Sequence, residues 1–255
     1  MKNLGCIMQS FKDAVLTLCT YLLALIFLPL ILIPILFLML LPESWRLSSK
    51  PLFYLLDLFY KTIAHILLIR ITVIGKENMP ANDPAIIVAN HESILDVPFV
   101  GMLCDGYPQM WFSLTVYAQK PLLGFFLRRL GVPLDTSDAS SAAAGLLRAI
   151  RLVKNYKRHT IIFPEGGRYT DGTIHPFLKG FVVIAKTTGR PIIPVFLAHP
   201  GKILPPHTFL IQRHPLTIIV GPPFLYRVYE TEEAFCTRVY EWFVEQNTRT
   251  DTFFG

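Results

Sequence analysis

An uncharged apolar segment near the amino terminus is the feature that most constrains how this 255-residue chain can fold. Residues 15–41 read VLTLCTYLLALIFLPLILIPILFLMLL, and no charged residue lies between Asp13 and Glu43. As a helix this segment would be about 40 Å long, and the hydrocarbon core of a bilayer is about 30 Å thick. It is also much longer than the apolar part of a cleaved signal peptide. We therefore expect a helix long enough to span a membrane with some tilt.

Two prolines in this segment leave a second arrangement open. Pro29 and Pro34 lie near its middle and should kink a helix there. A bent segment that enters and leaves one leaflet is therefore the alternative to a full span. Cations flank the segment on both sides and give it no preferred orientation.

A second apolar stretch, residues 52–69, carries one narrow polar stripe. Asp57, Lys61 and His65 recur at intervals of four, so they share one face of a helix. This pattern predicts a helix at the membrane interface or packed against the first segment, and a core helix with one solvated edge is the alternative. Residues 1–70 are thus predicted to be membrane-anchoring helical segments.

The composition favours membrane lipids over nucleic acid as partners. Hydrophobic residues make up 52% of the chain and charged residues 16%, against about 25% charged residues in an ordinary soluble domain. The net charge of +6 suits either an anionic membrane or nucleic acid, but no aromatic and basic platform for nucleic acid is present. The four cysteines lack metal-ligand spacing, so no metal site is expected.

Residues 71–255 alternate short β-branched runs with helical stretches, which predicts an α/β domain with a mixed central sheet flanked by helices. A helix over residues 141–157 carries several basic residues, which form a solvated face or contact anionic head groups. A second amphipathic helix is predicted over residues 231–246. The predicted strands are 71–75, 85–89, Gln109–Leu114, 160–163, Ile192–Leu197 and Leu216–Val220.

The heptad NHESILD, residues 90–96, follows one of these strands. His91 and Asp96 do not share a helical face, but they can meet if His91 lies in the turn and Asp96 in the first turn of the next helix. The carboxylate would then orient the imidazole, which would act as a base on a substrate hydroxyl. A purely structural role is the alternative, and Asn90 is expected to cap the helix.

A second group of polar residues, FPEGGR at 163–168, follows another strand. Gly166 and Gly167 allow a tight turn, and Arg168 is suited to a phosphate or carboxylate. Glu165 should pair with a base, a hydroxyl or the arginine, since an unpaired buried carboxylate is costly. A surface hairpin with a salt bridge is the alternative.

The order NHESILD, LGVPLD, FPEGGRYTDG with PFLKG, and RPIIPV resembles the four sequence blocks of the glycerolipid acyltransferases, over about residues 70–222. The resemblance implies acyl transfer from acyl-CoA or acyl carrier protein to a lysolipid hydroxyl, with no other cofactor. It implies His91 as the base and Asp96 as its orienting partner. Glu165, Gly166, Gly167 and Arg168 would line the acceptor site, and Pro194 would shape the acyl side.

Two departures from the family pattern concern the acceptor. Thr136 follows Asp135 where the family has an arginine thought to hold the acceptor phosphate, and Gly167 replaces a threonine. Arg128 and Arg129, just upstream, would supply the missing charge or form a solvated helix end.

The resemblance is in particular to the enzymes that make phosphatidate from 1-acyl-sn-glycerol-3-phosphate, and this is the activity that it implies. Three alternatives stay open. They are acylation of another lysolipid, lipid binding without catalysis, and ester hydrolysis. The catalytic domain is expected at the cytosolic face of a membrane.

Overall fold

A long amino-terminal helix precedes the rest of the fold in the computed structural model, which describes residues 2–81, 83–134, 139–205 and 207–254. This helix, α1, runs from Lys2 to Met39 and continues through both Pro29 and Pro34. Residues Phe11–Met39 are long and apolar enough to cross a membrane, and most of that surface is not covered by the protein. Large apolar side chains such as Leu25 and Phe37 are exposed on it.

Helices α2 (Glu43–Ser48) and α3 (Lys50–Ile66) follow, and α3 packs against α1. Ile35 and Met39 of α1 are fully buried in the same apolar cluster as Phe53 of α3. The polar stripe predicted on α3 is only partly solvated. Asp57 is buried and pairs with Lys61 at 2.8 Å, while His65 is exposed.

The described residues form a seven-stranded sheet with the order β1-β7-β6-β2-β5-β3-β4. All neighbouring strands are parallel except β6 and β7, so the predicted mixed α/β fold is confirmed. The strands are β1 (Ile71–Ile74), β2 (Ile86–Ala89), β3 (Gln109–Leu114), β4 (Gly131–Leu134), β5 (His159–Ile162), β6 (Ile192–Leu197) and β7 (Leu216–Val220).

Helices cover both faces of this sheet. Alternate residues of β2 point to opposite sides, because Ile87 belongs to the apolar cluster with α1 and α3, and Val88 to the cluster on the other face. That burial on both faces explains why β2 is apolar at every position. The remaining helices are α4 (Asp96–Gly101), α5 (Thr115–Ala118), α6 (Pro121–Leu130), α7 (Ala139–Asn155), α8 (Gly180–Thr188) and α9 (Glu232–Phe254).

The strand order determines where functional loops can meet. β2 lies between β5 and β6 and is parallel to both. The carboxyl ends of β2 and β5 therefore lie side by side, and the chain leaves them through NHESILD and FPEGGR, respectively. Ligands of α/β sheets bind at this kind of edge.

Candidate active site

Asn90, the first residue after β2, joins two strands and does not cap a helix. Its amide nitrogen donates to the Leu197 carbonyl oxygen at 2.9 Å, and its amide oxygen accepts from the Leu197 backbone nitrogen at 2.8 Å. The predicted capping role is therefore wrong. By fixing the end of β2 to β6, Asn90 sets where the next residue, His91, leaves the sheet.

His91 and Asp96 are in contact, in the arrangement considered from the sequence. His91 lies in the turn after β2, and Asp96 is the first residue of α4. Nδ1 of His91 is 2.7 Å from Oδ2 of Asp96. This contact assigns the hydrogen to Nδ1 in the neutral imidazole, which leaves Nε2 with the basic lone pair.

The Asp96 carboxylate is held by the turn that it orients. It is fully buried, and Oδ2 also accepts hydrogen bonds from the backbone nitrogens of Glu92 and Ser93, each at 2.8 Å. Together with the bond from His91, these hydrogen bonds fix the orientation of the carboxylate. The second oxygen, Oδ1, has no hydrogen-bond partner among the described residues.

The imidazole of His91 is also held across its face. It stacks on Phe163 with ring centroids 4.0 Å apart and an interplanar angle of 13°. No hydrogen bond in the described part of the chain uses Nε2. Because His91 lines an apolar cavity, this nitrogen is free to accept a proton from a bound molecule.

Glu165 links the two loops through their backbone. Its Oε1 accepts from the His91 backbone nitrogen at 2.9 Å, and its Oε2 accepts from the His175 backbone nitrogen at 3.0 Å. The side chain is 8% exposed. The pairing with a base, hydroxyl or arginine that the sequence suggested is thus replaced by two backbone donors.

Gly166, Gly167 and Arg168 line the same cavity as His91. Gly166 has φ +70°, a backbone conformation that favours glycine, whereas an added Cβ would meet only the movable end of the exposed Leu178 side chain. The exposed Arg168 guanidinium lies 5.8 Å from the centre of the Tyr117 ring. It is therefore a cation at the margin of an otherwise apolar space.

The cavity has a volume of about 530 Å³. Such a volume is ordinary for a small-molecule site, but the lining is almost wholly apolar. It is built from α1, α3, α6, β3 and the two loops. Its apolar lining includes Leu32, Ile35, Leu56, Phe59, Tyr60, Trp111, Phe126, Leu127 and Leu130.

Two further carboxylates near His91, those of Glu92 and Glu165, have raised pKa values. Burial raises the pKa of Glu92 to about 7, and the nearby Asp96 and Glu165 add to the rise, whereas the Gly201 backbone N–H opposes it. Burial also raises the pKa of Glu165, while its two backbone donors lower it. The charge of Glu92 therefore changes near neutral pH.

The loop that carries Glu165 has a second polar cluster, which sequence reasoning missed. Tyr169 donates its backbone N–H to the His91 carbonyl oxygen at 3.0 Å, and its ring stacks on His175 at 3.6 Å. His175 in turn bonds Asp171 through Nε2 at 2.7 Å. The spacing of Asp171 and His175 is a local signal that could have found this pair, which braces the loop next to His91.

Other predicted residues lie elsewhere. Pro194 is buried in β6 and does not line the cavity. Lys179, in the PFLKG segment, forms an ion pair with Glu233 of α9. Asp135 and Thr136, where the family arginine was expected, lie outside the described residues.

The sheet edge thus brings together an oriented imidazole, an apolar cavity and an arginine. A base next to an apolar cavity suits a substrate that combines a hydroxyl group with a long apolar chain. Arg168 would suit an acidic group on that substrate.

Several known proteins have similar sequences. The family described as Acyltransferase matches residues 70–198. The 1-acyl-sn-glycerol-3-phosphate acyltransferase BAT2 of Brassica napus is 35% identical over 168 residues, which cover 65% of this chain and 45% of that protein. The 1-acyl-sn-glycerol-3-phosphate acyltransferase of Saccharomyces cerevisiae is 32% identical over 173 residues, which cover 65% of this chain and 55% of that protein. This chain spans about half the length of these relatives.

A solved structure has a similar fold. The 1-acyl-sn-glycerophosphate acyltransferase PlsC from Thermotoga maritima superposes with a TM-score of 0.75 over 95% of this chain and 98% of that one. The sequence identity is 23%, so the likeness concerns the fold.

Proposed function

Because the chain belongs to the acyltransferase family, whose match covers residues 70–198, we propose that it transfers a fatty acyl chain from an acyl thioester to the free hydroxyl of a lysolipid. The proposed acceptor is 1-acyl-sn-glycerol-3-phosphate, and the product is phosphatidate. The observation that carries this proposal is the His91–Asp96 pair, joined at 2.7 Å, at the wall of a 530 Å³ apolar cavity.

In the proposed reaction, Nε2 of His91 takes the proton of the acceptor hydroxyl as its oxygen attacks the thioester carbonyl carbon. The new C–O ester bond forms, the C–S bond breaks, and the leaving thiolate takes the proton from the imidazolium. Asp96 stabilises the positive charge that His91 carries between these two proton transfers. No protein nucleophile is required, in keeping with the absence of a G-x-S-x-G motif in the sequence.

The cavity and Arg168 have separate roles in this proposal. The cavity holds an acyl chain, because burial of each methylene contributes about 0.8 kcal/mol. Arg168 binds the acceptor phosphate, since a guanidinium suits phosphate oxygens in a bidentate contact. Glu165 positions His91 by accepting a hydrogen bond from its backbone nitrogen. Both carboxylate oxygens of Glu165 are already bonded to backbone donors.

The experiment that tests this function uses the full chain purified in detergent, a panel of lysolipids, and acyl-CoA or acyl carrier protein as donor. Mass spectrometry of the products identifies both substrates. We expect kcat/KM to be at least about tenfold higher for the acceptor with a terminal phosphomonoester, because the arginine contact is charge-assisted.

The replacement of the family arginine by Thr136 favours a second candidate within the same class, an acyltransferase for a different lysolipid. Equal rates with and without the terminal phosphomonoester would support that candidate and exclude the first. Release of free fatty acid in the absence of any lysolipid would instead indicate a hydrolase.

Narrowing the cavity should change the preferred acyl chain. Leu32→Trp adds bulk to the part of the cavity wall that α1 contributes. We expect kcat/KM to fall most for the longest acyl donors, by up to about fourfold for each methylene that no longer fits in the cavity. A donor series of increasing chain length with one acceptor measures this.

Leu30→Trp is the matched control, because Leu30 is exposed on the same helix and does not line the cavity. It should leave the chain-length profile unchanged. An equal loss for short and long donors in Leu32→Trp would argue against the cavity as the acyl site.

A further inference from the structure

Five arginines converge at the opposite edge of the sheet, where β3 and β5 begin. They come from α2, α6, α7 and the turn before β5, and one carboxylate in the described part of the chain, that of Glu43, lies among them. We call this group the arginine cleft. Its arginines are Arg46, Arg128, Arg129, Arg148 and Arg158.

Arg158 is the least accessible member of the arginine cleft. It is 3% exposed, and its Nε and Nη2 atoms have no hydrogen-bond partner among the described residues. Tyr156 lies under the guanidinium, 4.6 Å from its central carbon, but a ring below the plane cannot accept the N–H groups that point outward in the plane. Two donors are thus buried without an acceptor, which is costly.

The charges around the cleft also indicate that an anionic partner is missing. Burial lowers the pKa of Arg158 to about 10, and the neighbouring Arg46 adds to this effect, whereas Tyr156 and Glu43 oppose it. Burial also lowers the pKa of Arg46. Both groups stay charged at neutral pH, and the cleft has an excess of four positive charges.

Capping of the carboxyl end of α1 explains the positions of only two of the five arginines in the cleft. Arg129 donates from Nε to the Met39 carbonyl oxygen at 3.1 Å, and Arg46 donates from Nη1 to the Leu41 carbonyl oxygen at 2.8 Å. These bonds satisfy carbonyls at the carboxyl end of α1, as cations there commonly do. They do not explain Arg158, which lines the same cleft with its charge buried.

We propose that the arginine cleft binds a phosphate group. Guanidinium groups from several directions match the oxygens of a tetrahedral anion, and the charge of that anion would offset the positive excess around the buried Arg158. The cleft has room for about one water-sized group, so one oxygen of a phosphate would enter it and the rest of the anion would lie at its mouth.

The position of the cleft identifies the head group of an anionic lipid as the source of that phosphate. Arg46 and Arg129 bind the carbonyls that end the apolar helix α1. If α1 lies in the bilayer, this end is at the level of the lipid phosphates. Arg128 and Arg129 line the cleft, and neither lines the cavity of His91.

The test compares two single variants of the full chain in detergent. Arg148→Gln removes an exposed member of the cleft, and Arg151→Gln removes an exposed charge of the same helix, α7, outside the cleft. Thermal unfolding is followed during titration with inorganic phosphate at constant ionic strength. It is also followed in micelles doped with phosphatidylglycerol or with zwitterionic phosphatidylcholine.

In the unaltered chain and the control variant, we expect Tm to rise and saturate with phosphatidylglycerol. In the cleft variant, the apparent affinity should fall about tenfold or more, since the lost contact is charge-assisted. A saturable rise with inorganic phosphate as well would show that the site also takes free phosphate. Equal responses in both variants, or no response in the unaltered chain, would overturn the proposal. The readout involves no acyl transfer and is independent of the proposed reaction.

Discussion

His91→Ala is expected to lower kcat for acyl transfer by about 10²- to 10⁴-fold, the range that a positioned general base contributes. The variant removes the group that would accept the hydroxyl proton but leaves the apolar cavity and Arg168 in place. KM for both substrates should therefore change little, and the loss should appear in kcat. Single-turnover measurements with the purified full chain would show that the chemical step is the one that slows.

His65→Ala is the control for this variant, because His65 is an exposed histidine on α3 that does not line the cavity. It should retain full activity. His65→Ala should keep the Tm and membrane association of the unaltered chain. His91→Ala should still fold and associate with the membrane, with a lower Tm because it loses the stacking on Phe163 and the bond to Asp96. Undiminished turnover in His91→Ala would refute the proposed mechanism. An unaltered chain without turnover on any lysolipid would favour a lipid-binding role.

The strands that the sequence predicted and the one that it missed differ for a physical reason. The apolar, β-branched segments, such as residues 192–197, were predicted because they are buried on both faces of the sheet. β4 reads GVPL, and its glycine and proline are unfavourable in a strand. It forms because it lies at the edge and pairs only with β3, so Pro133 removes no essential donor.

Local and distant contacts at the site show the same division. The contact of His91 with Asp96 was predictable because the two residues are five positions apart on either side of one turn. The bonds of Asn90 to Leu197 and of Glu165 to His91 span 107 and 74 residues, respectively. Residue types alone indicated that these side chains needed partners, but the partners depend on which strands become neighbours.

The apolar cavity could not be predicted from the sequence, for a related reason. Leu32 and Ile35 of α1 contribute to its wall together with residues of α6 that are about ninety positions away in the chain. Periodicity showed that both helices had apolar faces but not that those faces meet near His91. The predicted membrane helix therefore forms part of the wall of the candidate site. In the proposed reaction, an acyl chain in the cavity would lie close to any bilayer that α1 enters.

Asp96→Asn is expected to lower kcat by about 10²-fold with little change in KM, because the neutral amide no longer provides the negative charge that stabilises the imidazolium, a loss of about 3 kcal/mol. The amide oxygen can still accept from the Glu92 and Ser93 backbone nitrogens, which preserves the turn. Asp105→Asn is the matched control, since Asp105 pairs with Lys61 and Lys76 away from the cavity. It should leave kcat unchanged.

A double variant separates a positioning role for Asp96 from a purely structural one. If Asp96 acts only through His91, then His91→Ala/Asp96→Asn should be no slower than His91→Ala alone, because the carboxylate has no imidazole left to orient or to stabilise. A structural role would instead lower Tm in Asp96→Asn and would slow the double variant further, since damage to the turn adds to the loss of the base. The Oδ1 atom of Asp96, which lacks a partner in the described chain, favours the first outcome: the carboxylate is buried with its hydrogen bonds concentrated on the oxygen that faces His91.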